Sequence, residues 1–295
     1  MKRVLSIDVG GTFTKYGLID HHSHISHYNT VATESIKEDP IAFFHSIIRQ
    51  FETDIKAVAF SLPGYIDNTT GTITNGATLK KLTGVHLESV LNTNKKIFIE
   101  NDANCAAFSE LSLKSQDRPH TFIYITLGTG IGGAFVHNNK CYRGMSNRSC
   151  EFGSMVLDSQ QGTTLNWNRL GSVPLLKKEI SKVIHRDMEE KEFHHILQNY
   201  NALEWNEDEE AETLVHQFYR SHSIGVSNLL QIFNPPAVYF SGGITNLENF
   251  IPNLSVHLKK IYPDTHTVRL ATAGYKDKAG LIGAALLFFK KHHSL

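Results

Sequence analysis

The sequence predicts an α/β protein built as a duplicated unit, with a cleft between the two copies. Three observations carry this. Each half opens on successive strands and then alternates strand with helix. Each half also carries a glycine turn between two apolar strands, Val9-Gly10-Gly11-Thr12 in the first and Leu127-Gly128-Thr129-Gly130-Ile131-Gly132-Gly133 in the second. The length of 295 residues suits two domains of ordinary size. No short repeat is visible, so the duplication is structural.

Taken in order, segments 3–8, 14–20 and 25–33 read as three consecutive strands. Pro40 starts a helix through Phe51, with Ile41, Phe44, Ile47, Ile48 and Phe51 on one face. Lys56–Ser61 reads as a buried strand ended by Pro63-Gly64, and a loop rich in Thr, Asn and Gly runs to Gly76. Lys96–Glu100 is a further strand, and Asn101 or Asp102 caps a helix over 103–114. Residues 115–119 read as a linker, 122–136 as the second glycine hairpin and 138–172 as loop-rich chain. Helices follow over 174–184, 189–198 and 208–233, the last entered through an acidic run over 204–212 that suits a helix dipole. Pro235-Pro236 ends it. A strand over 237–241 leads into Gly242-Gly243, then come a helix over 247–261, a strand over 267–271 and a last helix over 276–291.

Lys+Arg and Asp+Glu both number 29, and a formal net charge of zero argues against a general nucleic-acid binder. No apolar run reaches membrane-spanning length, and Met1-Lys2-Arg3-Val4 enters a strand with no signal-peptide pattern. The three cysteines, Cys105, Cys141 and Cys150, form no CxxC pair and no disulfide framework, which fits a reducing cytoplasm. His21, His22, His24 and His27 crowd an early hairpin, where a metal cluster competes with a reading as exposed turn histidines.

Glycine turns let backbone N–H groups approach a phosphate, and two of them suggest half-sites that clamp one polyphosphate. A Gly-Gly pair that merely closes a hairpin is the commoner case. The first turn is the more telling, because Asp8 ends an apolar strand where the glycines begin. A carboxylate there can hold hydrated Mg²⁺ beside a phosphate chain, while Thr12 offers a hydroxyl and Lys15 a cation. Neither turn is a Walker A loop. The second is followed by Ala134-Phe135-Val136, a strand where a dinucleotide fingerprint requires a helix, so a Rossmann nicotinamide site is rejected.

These motifs, in this order, resemble the ROK family of sugar kinases. Asp8–Thr12 resembles the family's first phosphate loop and Leu127–Gly133 its second. Pro63-Gly64-Tyr65-Ile66-Asp67 resembles the turn before the sugar-contacting loop, and Glu100-Asn101-Asp102-Ala103-Asn104 the catalytic Asn-Asp segment. Gly242-Gly243-Ile244 resembles the turn against the nucleoside, and Ala279–Ala285 the C-terminal helix. The resemblance implies a two-domain actin-like ATPase (ribonuclease H-like) fold with a central cleft. A smaller α/β domain would cover 1–116, completed by the helix over about 276–295, and a larger one 117–275. Two departures stand out. The family's Glu-x-Gly-His element reads Glu151-Phe152-Gly153-Ser154, and the cysteine-rich zinc motif expected over 158–170 has no cysteine. A structural zinc takes about four Cys or His ligands, so no zinc is expected and the loop is expected to order by packing around Trp167.

The resemblance implies transfer of the γ-phosphoryl of ATP to a sugar hydroxyl, the 6-hydroxyl by preference, with Asp102 as the general base. Asp8 would organise Mg²⁺ through water. Gly10, Gly11, Thr12, Gly128, Thr129, Gly130 and Gly132 would meet the phosphates, and Gly242 and Gly243 the adenosine. Lys15 either assists there or points to solvent. Asn101, Asp102 and Glu151 lead the sugar contacts, followed by Ser61, Asn75, Gly76 and Ser154, with Asn168 near the place of the family's second sugar-binding glutamate. Ser154 is shorter than histidine and leaves room for an aglycone, which favours a β-glucoside or similar hexose. The alternatives are an N-acetylmannosamine kinase, a non-catalytic sugar sensor, an actin-like ATPase without a small acceptor, and a sugar-responsive repressor, for whose DNA-reading domain the sequence leaves no room before the first strand. Relatives are often dimers, and apolar helix faces around 174–198 offer a surface for a homodimer.

Overall fold

The computed structural model describes residues 3–67, 70–113, 118–160, 162–204, 206 and 209–292. Residues 114–117, which include most of the expected linker and the expected domain boundary, lie outside the described residues. So do 205, 207 and 208 of the acidic run. The chain forms two compact units, one of residues 1–118, 136–149 and 277–295, the other of 119–135 and 150–276.

In the first unit β1 (Arg3–Val9), β2 (Phe13–Ile19) and β3 (Ile25–Ala32) form an antiparallel meander. Helix α1 (Pro40–Gln50) follows, its first turn fixed by Pro40 and by Asp39, whose carboxylate accepts from Ala42 N–H. Strand β4 (Ile55–Leu62) pairs parallel with β1. A small hairpin, β5 (Tyr65–Asp67) and β6 (Thr72–Asn75), and the short α2 (Leu87–Val90) precede β7 (Lys96–Asn101) and α3 (Asp102–Glu110). The sheet runs β3-β2-β1-β4-β7. Val4, Leu5, Ile7 and Val9 are all buried, so β1 reads as a near-continuous apolar run, as a strand covered on both faces must. β3 at the edge is largely exposed. Leu5, Ile7, Phe44 and Phe60 lie in the core of this unit.

The second glycine hairpin is β8 (Phe122–Leu127) and β9 (Ile131–His137), and the end of β9 pairs with β10 (Lys140–Cys141) in the first unit. Residues 138–172, expected as loop, contain more structure. A hairpin of β11 (Val156–Gln160) and β12 (Thr163–Asn166) leads into α4 (Trp167–Gly171), capped by Asn166. Apolar periodicity is absent there because the hairpin strands are short and mostly exposed, so the pattern carried no strand signal. Trp167 is fully buried, and its indole N–H donates to His222 Nδ1 at 2.9 Å. The expected packing around this tryptophan is therefore present.

Helices α5 (Val173–Val183), α6 (Glu190–Asn199) and α7 (Glu210–Phe233) follow, with α7 ended by Asn234 in the left-handed region. Strand β13 (Ala237–Ser241) pairs parallel with β8 and with β14 (Arg269–Thr272), on either side of α8 (Phe250–Ile261). Trp167, Phe218, Phe240 and Phe250 lie in the second core. The chain then returns to the first unit as α9 (Ala279–Lys291), which packs on α3, β1 and β4. Its small residues permit this: a Cβ on Gly283 would stand 1.7 Å from the Cys105 carbonyl oxygen. Among the described residues no helix is long and apolar enough to cross a membrane.

Candidate active site

In the first unit Asp8 stands near the C-terminal end of β1, next to Ser61 on the parallel strand β4. Ser61 is buried and donates its hydroxyl to Asp8 Oδ1 at 2.5 Å. Burial pushes the Asp8 carboxyl pKa up. The Ser61 hydrogen bond and Lys15 oppose the rise, and Asp277 adds to it. The start of α9 closes in as well, since a Cβ on Gly280 would sit 2.3 Å from Asp8 Oδ1. Ser61 is thus bonded to Asp8 rather than presented singly to a sugar. Lys15 is held locally: its ammonium donates to the Asp277 carbonyl and lies 3.7 Å from the Asp277 carboxylate, tying β2 to the turn before α9.

The first glycine turn is a tight hairpin in which Gly10 N–H donates to Phe13 O at 3.0 Å and Thr33 Oγ donates to Gly10 O at 2.9 Å. Gly10 N–H therefore builds the turn, while Gly11 and Thr12 are exposed at its tip.

At the end of β7 the two capping candidates separate. Asn101 Oδ1 accepts from Asn104 N–H at 3.1 Å and caps α3, and Asn101 Nδ2 donates to Gly64 O at 3.1 Å. Asp102 is the first residue of the helix and accepts from Ala103 N–H at 2.8 Å. Asn75 is exposed, its Oδ1 accepting from Ala77 N–H, whereas Gly76 is buried with its N–H given to Thr83 Oγ. Two residues that sequence reasoning missed stand behind Asn101. Glu100 is 2% exposed and is bonded by Arg143. An acidic residue in a run of buried strand positions was the available signal for Glu100, and Arg143 is 43 residues away in sequence. A cavity of ≈ 670 Å³, lined in part by Phe98, Glu100, Phe108, Lys140, Arg143 and Lys290, opens beside β7.

In the second unit, Gly128 N–H donates to Gly130 O at 3.0 Å and Gly132 N–H to Thr126 Oγ at 3.2 Å. Thr129 and Gly130 form the exposed tip. Asn168 Oδ1 accepts from Ile131 N–H at 2.7 Å, so this side chain braces the turn from α4. Glu151 and Ser154 flank a short turn whose Phe152 and Gly153 are buried. Glu151 lies at the surface, while Phe152 takes the inward position. Partial loss of water around it still raises its carboxyl pKa. Gly242 has φ of +118°, and a Cβ there would stand 1.8 Å from Leu127 O, so only glycine fits between β13 and β8. Gly243 is exposed with open space on its Cβ side.

The histidines 21, 22, 24 and 27 are exposed, with His24 3.4 Å from Asp20. Among the described residues no group of three or more His, Cys, Asp or Glu is placed to hold a metal ion. The exposure of the four histidines fits their reading as turn histidines.

The chain is 29% identical to a beta-glucoside kinase of Listeria monocytogenes over 99% of both chains. A solved structure of a candidate N-acetylmannosamine kinase from Listeria monocytogenes superposes with a TM-score of 0.88 at 29% identity, covering 98% of this chain and 99% of that one. The fold is also that of a Streptomyces griseus ROK family glucokinase solved with glucose and AMPPNP, with a TM-score of 0.77 at 24% identity over 97% and 98% of the two chains. The ROK family model matches residues 4–291, and the chain accordingly belongs to the ROK family.

Proposed function

We propose that this ROK-family chain is a sugar kinase that transfers the γ-phosphoryl of ATP to a hydroxyl of a β-glucoside or related hexose, with the 6-hydroxyl as acceptor. The observation that carries the mechanism is the capping of α3 by Asn101, which leaves the Asp102 carboxylate outside the cap position at the start of the helix. Asp102 then takes the acceptor's proton as the hydroxyl attacks. Asn101 and Glu151 orient the sugar hydroxyls, and Asn75 contributes from the end of β6. The exposed tips Gly11-Thr12 and Thr129-Gly130 supply N–H donors and hydroxyls to the phosphates, and Gly243 offers an open backbone face to the adenosine.

Asp8 fits a hydrated Mg²⁺. It is a carboxylate whose pKa is raised by burial and whose bonded neighbour Ser61 is neutral, so it gains from a cation. When bound, the ion neutralises charge on the phosphates. Ser61 and Gly280 fix the carboxylate. Cys105, Cys141 and Cys150 are not joined in disulfides, which suits work in the cytoplasm. For the acceptor, Ser154 leaves room where the family has histidine, and the 29% identity to a beta-glucoside kinase over 99% of both chains points the same way. The N-acetylmannosamine reading is kept for the equal identity of the Listeria structure.

Coupled ADP release over glucose, cellobiose, N-acetylmannosamine and fructose tests both readings. The greatest turnover is expected with cellobiose, preference for N-acetylmannosamine would reverse the order, and ADP release indifferent to every sugar would end the kinase reading. Asp102→Asn is expected to fold normally and lose at least ~10²-fold in kcat. Near-normal turnover would remove Asp102 from the mechanism.

A further inference from the structure

Among the described residues Glu100 is one of few buried charged side chains, at 2% exposure. Each oxygen of its carboxylate has a separate task. Oε1 accepts from the main-chain N–H of Asn101 at 2.9 Å and from Asn104 Nδ2 at 3.1 Å. Oε2 accepts from Arg143, both from Nε at 3.1 Å and from a terminal guanidinium nitrogen. Burial of Arg143 works against its charge, but Glu100 more than offsets this, so the guanidinium pKa is raised. Arg143 reaches this point from the segment after β10, so the pair joins two distant parts of the first unit.

The bonds converge on the dipeptide Asn101-Asp102. Glu100 holds the Asn101 main chain. Asn104, itself held by Glu100, donates its N–H to the Asn101 side chain. Gly64 O takes the other end of that side chain. Were the Glu100 carboxylate unpaired, the same bonds would be made by a buried, uncompensated charge, which a fold tolerates poorly. Two donors of one planar guanidinium converging on Oε2 also fix direction, which a single ammonium does not.

We propose that Glu100 and Arg143 are a positioning pair that sets Asn101 and Asp102 in register for phosphoryl transfer. Neither touches the reacting atoms. The inference rests on the reading of Asp102 as the base. Its chemistry is that of preorganisation, where small displacements of a catalytic group cost large factors in rate.

Steady-state kinetics of Arg143→Met, Arg143→Lys, Glu100→Gln and the double variant Glu100→Gln/Arg143→Met test it, together with amide hydrogen exchange over residues 100–104. Arg143→Met is expected to lower kcat about tenfold or more while the KM for ATP stays within about twofold, and to speed exchange over 100–104. Arg143→Lys should recover part of kcat. The double variant should exceed Arg143→Met, because it removes the stranded charge along with its partner. Where Arg143→Met fails to fold, Glu100→Gln, which keeps shape and the Oε1 acceptor, carries the same expectation of reduced kcat at unchanged KM for ATP. A folded Arg143→Met with wild-type kcat overturns the pair, whatever its exchange. Wild-type exchange over 100–104 in that variant overturns it too, independently of turnover. Loss of sugar-dependent ADP release in the wild type itself would instead sink the kinase reading.

Discussion

Ser61 and Asp8 illustrate how little of a side chain's task its type reveals. A serine at the end of a buried strand was a plausible sugar contact, yet its hydroxyl is given to Asp8 Oδ1 at 2.5 Å. The parallel register of β1 and β4, which sets Asp8 against Ser61, decides this. Ser61→Ala removes the donor from a carboxylate whose pKa burial already raises, and should lower stability by about 1–2 kcal/mol in denaturant unfolding. The same variant should weaken Mg²⁺-dependent turnover; wild-type stability and turnover together would dissociate Ser61 from Asp8. Lys15 and Asn168 follow the same rule. Each is polar and near a glycine turn in sequence, and each is bonded to main chain, at Asp277 O and Ile131 N–H respectively.

At the scale of elements, the informative contact is α4 against α7. Trp167 on α4 lies over Gly225 on α7, where a Cβ would come within 2.6 Å of the indole. Glycine inside a helix ordinarily costs about 0.5–1 kcal/mol relative to alanine. Here the rule inverts. Gly225→Ala should destabilise by about 1–3 kcal/mol, the usual scale of overpacking, because a fully buried tryptophan has nowhere to move. A melting temperature at or above wild type would show that Trp167 does not hold the segment. The family's zinc motif would stand in this region, and in this chain the β11–β12 hairpin, α4 and the Trp167–His222 hydrogen bond provide its order.

For the whole molecule, the buried His222 ties stability to pH. Its Nδ1 accepts from the indole, so protonation would set one N–H against another, and burial pushes its pKa down to about 3 from 6.5. A histidine with a depressed folded pKa binds fewer protons folded than unfolded between those values. Stability therefore falls as pH drops below about 6.5, by up to about 1.4 kcal/mol per pH unit. His257, pushed down to about 4 mainly by burial, acts in the same direction. Melting temperatures are expected to decline from pH 7 to pH 5. His222→Gln, which still offers an acceptor but cannot titrate, should flatten the decline; an unchanged slope would exclude His222 as its source.

The sequence by itself determined the order of the longer strands and helices, the two glycine hairpins, the acid at the end of β1 and the Asn101-Asp102 segment. These are local matters, set by apolar periodicity, turn residues and caps within a few positions. It also determined the family, because the motifs come in a fixed order along the chain. The tertiary structure alone decided which of Asn101 and Asp102 caps α3, since both are good capping residues and only Gly64 and Asn104 select one. It alone found Glu100 with Arg143, the hairpin within 138–172, and the internal duties of Ser61, Lys15 and Asn168. Each of these is a pairing between distant segments. A sequence pattern reports which face a residue occupies, but the partner that satisfies a buried polar group is set by where the chain returns, and no local period encodes that.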